Sequence, residues 1–156
     1  MIEVVGVTVR KGKGYIPVHA QIEGGPYFMV EPVFVANLTV DDLVAALEKA
    51  IAFGHPQIPP PTQEEMKQRT DPMLAAAGVK SWYQLAKGGA DYSIFWSEDR
   101  IVLYMSRLDR KGRFESDPNK TKNFGLDTPL QAIVETILAD IKTRPELDWA
   151  TTAAIS

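Results

Sequence analysis

The chain contains no cysteine, which excludes disulfides, thiolate zinc sites, iron–sulfur clusters and cysteine nucleophiles together. Histidine is scarce as well, with His19 and His55 the only two in 156 residues. No H-E-x-x-H pair, calcium-loop pattern or Walker-type glycine spacing occurs, so neither a metal nor a cofactor is expected. Gly12-Lys13-Gly14 has two glycines of a dinucleotide fingerprint, but Pro17 stands where the third belongs. A strand rather than a helix follows, so no helix N-terminus is offered to a pyrophosphate. Excess positive charge is also missing. The formal net charge of −3 opposes broad binding to nucleic acid or anionic lipid. Long apolar runs are absent, since Tyr27 to Val40 is interrupted by Glu31, Pro32 and Asn37 and is too short to cross a bilayer. No basic stretch leading into an apolar one opens the chain, so no signal peptide is expected and the cytoplasm is the expected location.

What remains is an ordinary globular composition, 45% hydrophobic and 24% charged, on a length that suits one domain. Ile2 to Val9 is rich in β-branched residues, Lys11 to Gly14 reads as a turn, and Tyr15 to Ile22 alternates. Tyr27 to Val35 makes a third strand, with Pro17 and Pro32 confined to an edge or bulge. Thr39 is a natural N-cap, with Asp42 three residues on. Val40, Leu43, Val44, Leu47 and Ile51 recur at helical spacing, and Gly54 ends the helix. His55 to Thr62 carries four prolines and reads as a stiff connector.

The second half repeats the plan. Short helices are expected at Glu64 to Arg69, from Asp71-Pro72 to Gly78, and from Ser81 to Lys87. Two alternating strands follow, at Tyr92-Ile94-Trp96 and Ile101-Leu103-Met105, then a turn at Asp109 to Gly112 and a short strand at Arg113 to Glu115. The last helix is expected to have Thr128 as N-cap, Pro129 at its first position and Gln131 closing a capping box. Its stripe is Leu130, Ile133, Val134, Ile137, Leu138 and Ile141. The fold class is therefore α+β, with about six antiparallel strands, in one sheet or two, and both long helices on one side. Halves 1–54 and 63–145 are joined by the connector 55–62, and 146–156 forms a loose tail whose Trp149 docks on the domain or on a second copy. The two long helices align at an offset of ninety residues. Either an internal duplication or the sameness of any two amphipathic stripes accounts for that.

Candidate chemistry is sparse. His19 falls on the presumed outer face of its strand and His55 in the connector, and neither has a local catalytic signature. Asp41-Asp42 and Glu64-Glu65 stand at helix starts, where the helix dipole accounts for them. Arg107 to Lys122 stands apart: Arg107, Arg110, Lys111, Arg113, Lys120 and Lys122 face three acids, a net +3 in a chain of −3. With Phe114 and Phe124 beside them, these bases are the candidate partner-binding surface. A solvated hairpin tip is the alternative.

Ala76 to Lys87, the strand at Tyr92-Ser93-Ile94, the next strand, the basic Gly turn and the Thr128-Pro129-Leu130 helix occur in an order that resembles small immunity proteins of bacterial contact-dependent inhibition and related toxin systems. The resemblance covers about residues 70–142 and implies a protein that binds a cognate toxin domain and blocks it without chemistry of its own. No functional residue carries over from it. The expectation is thus a non-enzymatic protein-binding domain. Two others stand beside it: a ligand-binding protein or enzyme whose site holds His19 or His55 next to buried carboxylates, and a homodimeric scaffold.

Overall fold

The computed structural model describes residues 3–147 and 149. The expected strand start at Ile2 and most of the expected tail, Ile155 included, lie outside the described residues. β1 (Glu3–Arg10) and β2 (Lys13–Ile22) form the first hairpin, and β3 (Tyr27–Asn37) pairs antiparallel with β2. α1 (Val40–Phe53) begins at Thr39, whose hydroxyl accepts from the Asp42 N–H at 3.2 Å. It stops at Gly54, where φ of 77° suits a residue without Cβ.

The connector is not a free spacer. Its Gln57–Ile58 segment, β4, adds to β2 in parallel, opposite Gln21 and Ile22. Extended proline-rich backbone is already in strand geometry, so docking it on the stretch of β2 that β1 leaves unpaired costs little further ordering. Next come α2 (Gln63–Gln68), which has a Thr62–Glu65 capping box, α3 (Pro72–Ala77) and α4 (Trp82–Ala86). β5 (Gly89–Trp96) and β6 (Ile101–Leu108) follow, then β7 (Phe114–Ser116), β8 (Lys122–Phe124) and α5 (Leu130–Lys142).

All eight strands belong to one sheet, in the order β3-β2-β1-β5-β6-β7, with β4 on β2 and β8 on β6. The count exceeds the expected six because β4 and β8 are two- and three-residue strands, too short to show an alternating pattern. The halves meet where β1 and β5 pair antiparallel over their full lengths, Glu3 opposite Trp96 and Arg10 opposite Gly89. Outward from that seam, each half runs through its second strand to its third, and each contributes one long helix.

Both helices cover the same face. Val5, Val7 and Val9 of β1, Tyr92 and Ile94 of β5 and Leu103 of β6 join Leu43 and Leu47 of α1 and Ile133, Ile137 and Ile141 of α5 in one core. The α1 stripe is rotated from expectation: Ala46 and Ala50 are buried, while Ile51 is 37% exposed. Contact with α5 and β3 brings the alanine side inward because small side chains permit close approach. The start of α5 also differs. Its N-cap is Pro129, with no side-chain cap bond. The Thr128 N–H is turned back to the Gly125 carbonyl, and Gln131 instead bonds Glu135. Of the expected tail, Leu147 is buried in the core, and half-buried Trp149 donates its indole N–H to the Gly88 carbonyl at 3.0 Å. No helix among the described residues is long and apolar enough to cross a membrane.

Candidate functional site

Side chains alternate along a strand, so Gly6 and Thr8 of β1 and Asp91 and Ser93 of β5 point away from the two long helices. β1–β5 pairing sets Thr8 opposite Asp91 and Gly6 opposite Ser93. A cavity of about 140 Å³ opens there, lined by these four together with Pro17, His19, Met29 and Trp82. Each element supplies what it must. Gly6 withholds a side chain, and a Cβ there would come within 3.7 Å of the His19 ring. Trp82 arrives on the first turn of α4, whose cap Ser81 accepts from the Gln84 N–H. A second cavity, about 220 Å³, flanks the same Asp91 and Ser93 on the other side, bounded by Tyr104, Ser106, Phe114 and Glu115.

The electrostatics of this face are unusual. Asp91 accepts a bond from the Thr8 hydroxyl at 2.9 Å, and its own N–H donates to Ser106 Oγ at 2.7 Å. No cation pairs with its carboxylate among the described residues. Desolvation raises it to about 6, and the bonds from Thr8 and the Tyr92 backbone only partly oppose that. His19 is shifted the other way, to about 4, by its own desolvation and by His55, and its buried Nδ1 has no bonding partner. Neutral imidazole and unpaired carboxyl thus line one cavity.

His55 does structural work. Its Nδ1 lies 2.7 Å from the His19 carbonyl, and its Nε2 lies 3.3 Å from the Val4 N–H. A carbonyl can only accept, so Nδ1 carries the hydrogen and Nε2 accepts. The ring staples the connector across β2 to β1.

The charged segment divides into two sets. Arg107 pairs with Glu115 at 3.0 Å and Asp117 at 3.8 Å, Arg113 with Asp109 at 3.0 Å, and Lys120 with Asp140 at 2.9 Å. Asp109 also accepts from the Lys111 and Arg113 N–H groups, and these bonds, the Arg113 one foremost, hold its carboxyl below the usual range. Arg110, Lys111 and Lys122 are exposed and in no ion pair among the described residues. Phe114 does not project to solvent; it is half-buried against Gly89 and lines the larger cavity. The hairpin and the Asp91 face are therefore continuous through Phe114 and Glu115. Sequence reasoning passed over Thr8, Trp82, Asp91, Ser93 and Ser106, although Asp91 and Ser93 alternate with Tyr92 and Ile94 as polar members of a strand.

On the opposite, helix-covered side of the sheet, Asp140 of α5 accepts from Tyr92 Oη at 2.7 Å, Lys120 Nζ at 2.9 Å and Arg144 Nε at 2.8 Å. Burial raises its carboxyl, but these three donors prevail and leave it below the usual carboxylate range. The network ties the charged loop to the final helix.

No family model matches the chain, and no curated protein matches it by sequence. Solved structures do. A protein of unknown function from Neisseria meningitidis, 14% identical, matches over 97% of this chain and 94% of that one, with a TM-score of 0.61. A chain of the CdiA-CT/CdiI toxin and immunity complex from Yersinia pseudotuberculosis, 10% identical, matches over 96% of this chain and 95% of that one, with a TM-score of 0.59. The likeness therefore extends well beyond residues 70–142 to the first meander and the connector. The chain has the fold of a chain in the CdiA-CT/CdiI toxin and immunity complex.

Proposed function

We propose that the chain is a non-enzymatic, immunity-type protein that binds a toxin domain and neutralises it. The observation that carries this reading is the end-to-end fold likeness to a chain of a toxin and immunity complex. The histidines fit the role of binder rather than catalyst. Both nitrogens of His55 are engaged in structural bonds, which leaves that ring no free nitrogen for catalysis, and His19, held neutral, is no proton donor at neutral pH. The working surface in this reading is the exposed part of the charged hairpin, Arg110, Lys111 and Lys122, with Arg107, Arg113 and Lys120 held in place by their acids and Phe114 joining the hairpin to the Asp91 face. Arg and aromatic residues at the edge of a cavity are suited to anchor a partner.

Co-expression with contact-dependent-inhibition toxin domains, beginning with any encoded beside its own gene, tests the proposal. Growth should be restored by one such domain's pairing with this chain, and the two should elute together as one complex. Unrelieved growth arrest with every domain, and separate elution, would refute it. A small-ligand or enzymatic role is favoured by one observation, the meeting of His19 and Asp91 at a single cavity. Turnover or tight binding of a metabolite in the absence of any protein partner would turn the assignment that way.

A further inference from the structure

The cavity between Thr8, His19, Trp82, Asp91 and Ser93 has a feature that the toxin-binding proposal alone does not require. It holds a carboxylate with no cation to face. Arg10 lies on the same face of β1 one pleat beyond Thr8, yet makes no ion pair with Asp91. Its buried Nε has no partner at all. His19, at the cavity wall, is neutral and cannot supply the charge. Asp91 is half-buried, a carboxylate drawn from water without a cation is costly, and nothing in the packing of the sheet demands one. Thr8 and Ser106 orient Asp91 through its side chain and backbone, which holds it ready rather than hiding it. The volume, about 140 Å³, equals roughly four or five waters' share of the liquid. That suits the end of one long side chain. Trp82 adds an aromatic wall, to which ammonium and guanidinium groups are attracted.

We infer that this cavity is a socket for one cationic side chain, lysine or arginine, of the protein partner. The inference rests on the toxin-binding reading for the source of the side chain, while the socket's chemistry stands on the cavity itself. The incoming cation pairs with Asp91, its alkyl stem lies against Met29 and Pro17, and its remaining donors reach Ser93.

Titrating the full chain with n-propylammonium and N-methylguanidinium, with acetamide as the neutral control, tests it by NMR. Both cations should shift the Trp82 indole and the Gly6, Asp91 and Ser93 amides saturably, and acetamide should not. Asp91→Asn should weaken this by roughly tenfold, whereas Glu115→Gln, in the neighbouring cavity, should leave it unchanged. In the partner complex the same signals should be shifted already, and propylammonium should move them no further. No saturable response to either cation, or an undiminished one in Asp91→Asn, overturns the socket. If growth protection persists in that case, the toxin-binding reading survives its loss. Small cations that still enter the cavity in the complex would overturn its assignment to the partner's side chain.

Discussion

His55 and Asp140 illustrate how single residues hold distant elements in this protein. His55 bonds β2 through the His19 carbonyl and β1 through the Val4 N–H. His55→Ala should cost about 1–3 kcal/mol for the two lost bonds and speed amide exchange at Val4. Asp140 neutralises Arg144, whose side chain is only 5% exposed. Asp140→Ala leaves that buried guanidinium only its looser, exposed partner Glu146 at 3.6 Å and removes the acceptor for Tyr92, a loss of about 3 kcal/mol in urea unfolding. Its lowered carboxyl contributes stability that is whole above the unfolded value of 3.8 and drains as pH falls through the folded one.

His19 and Asp91 have opposite linkages. Unfolded histidine binds its proton near 6.5, whereas His19 waits until about 4. Its stability is therefore whole above pH 6.5 and lost as pH falls towards 4. Folded Asp91 keeps its proton up to about 6, while the unfolded carboxyl releases it near 3.8. That contribution is whole below 3.8 and drains as pH rises through 6. Between pH 4 and 6 the two slopes oppose. Measured against wild type, Asp91→Asn should gain stability as pH rises from 4 to 6, and His19→Gln should gain it as pH falls from 6.5 to 4. Each gain is on the order of 2–3 kcal/mol. Differences that do not vary with pH would show that neither group is desolvated as described.

Among the elements, the helices were the most legible in sequence, because capping and periodicity are local. Thr39, Gly54, Asp71, Gly78 and Ser81 all end helices as read. Where reading failed, a neighbour decided. Ile51 belongs to the apolar stripe by spacing, yet α1 turns Leu43, Ala46, Leu47 and Ala50 inward and leaves it partly in solvent. Ile137→Ala should accordingly cost about 2–5 kcal/mol, and Ile51→Ala about 0.5 kcal/mol or less, both read from denaturant midpoints. What the connector docks on was hidden for a related reason. Proline-rich sequence signals extension but not what an extended segment docks on, and β4 adds to β2. Gly89 follows the same logic, since a Cβ there would lie 2.5 Å from the Leu85 carbonyl oxygen, a closeness visible only once α4 meets β5.

At the scale of the whole molecule, the two halves join into one sheet by β1–β5 pairing, which brings together residues such as Thr8 and Asp91, 83 apart in sequence. No local pattern reports that register, so the Asp91 face could not be read beforehand, whereas the charged hairpin, contiguous in sequence, could. The account places both on one continuous surface that spans the seam between the halves. Hydrogen–deuterium exchange of the chain, alone and bound to whichever toxin domain the co-expression test pairs with it, tests that placement most directly. Protection should gather at Arg107 to Phe124 and at the strand amides around Gly6, Asp91 and Ser93. Protection confined to α1 and α5, or to the outer edge of β3, would contradict it.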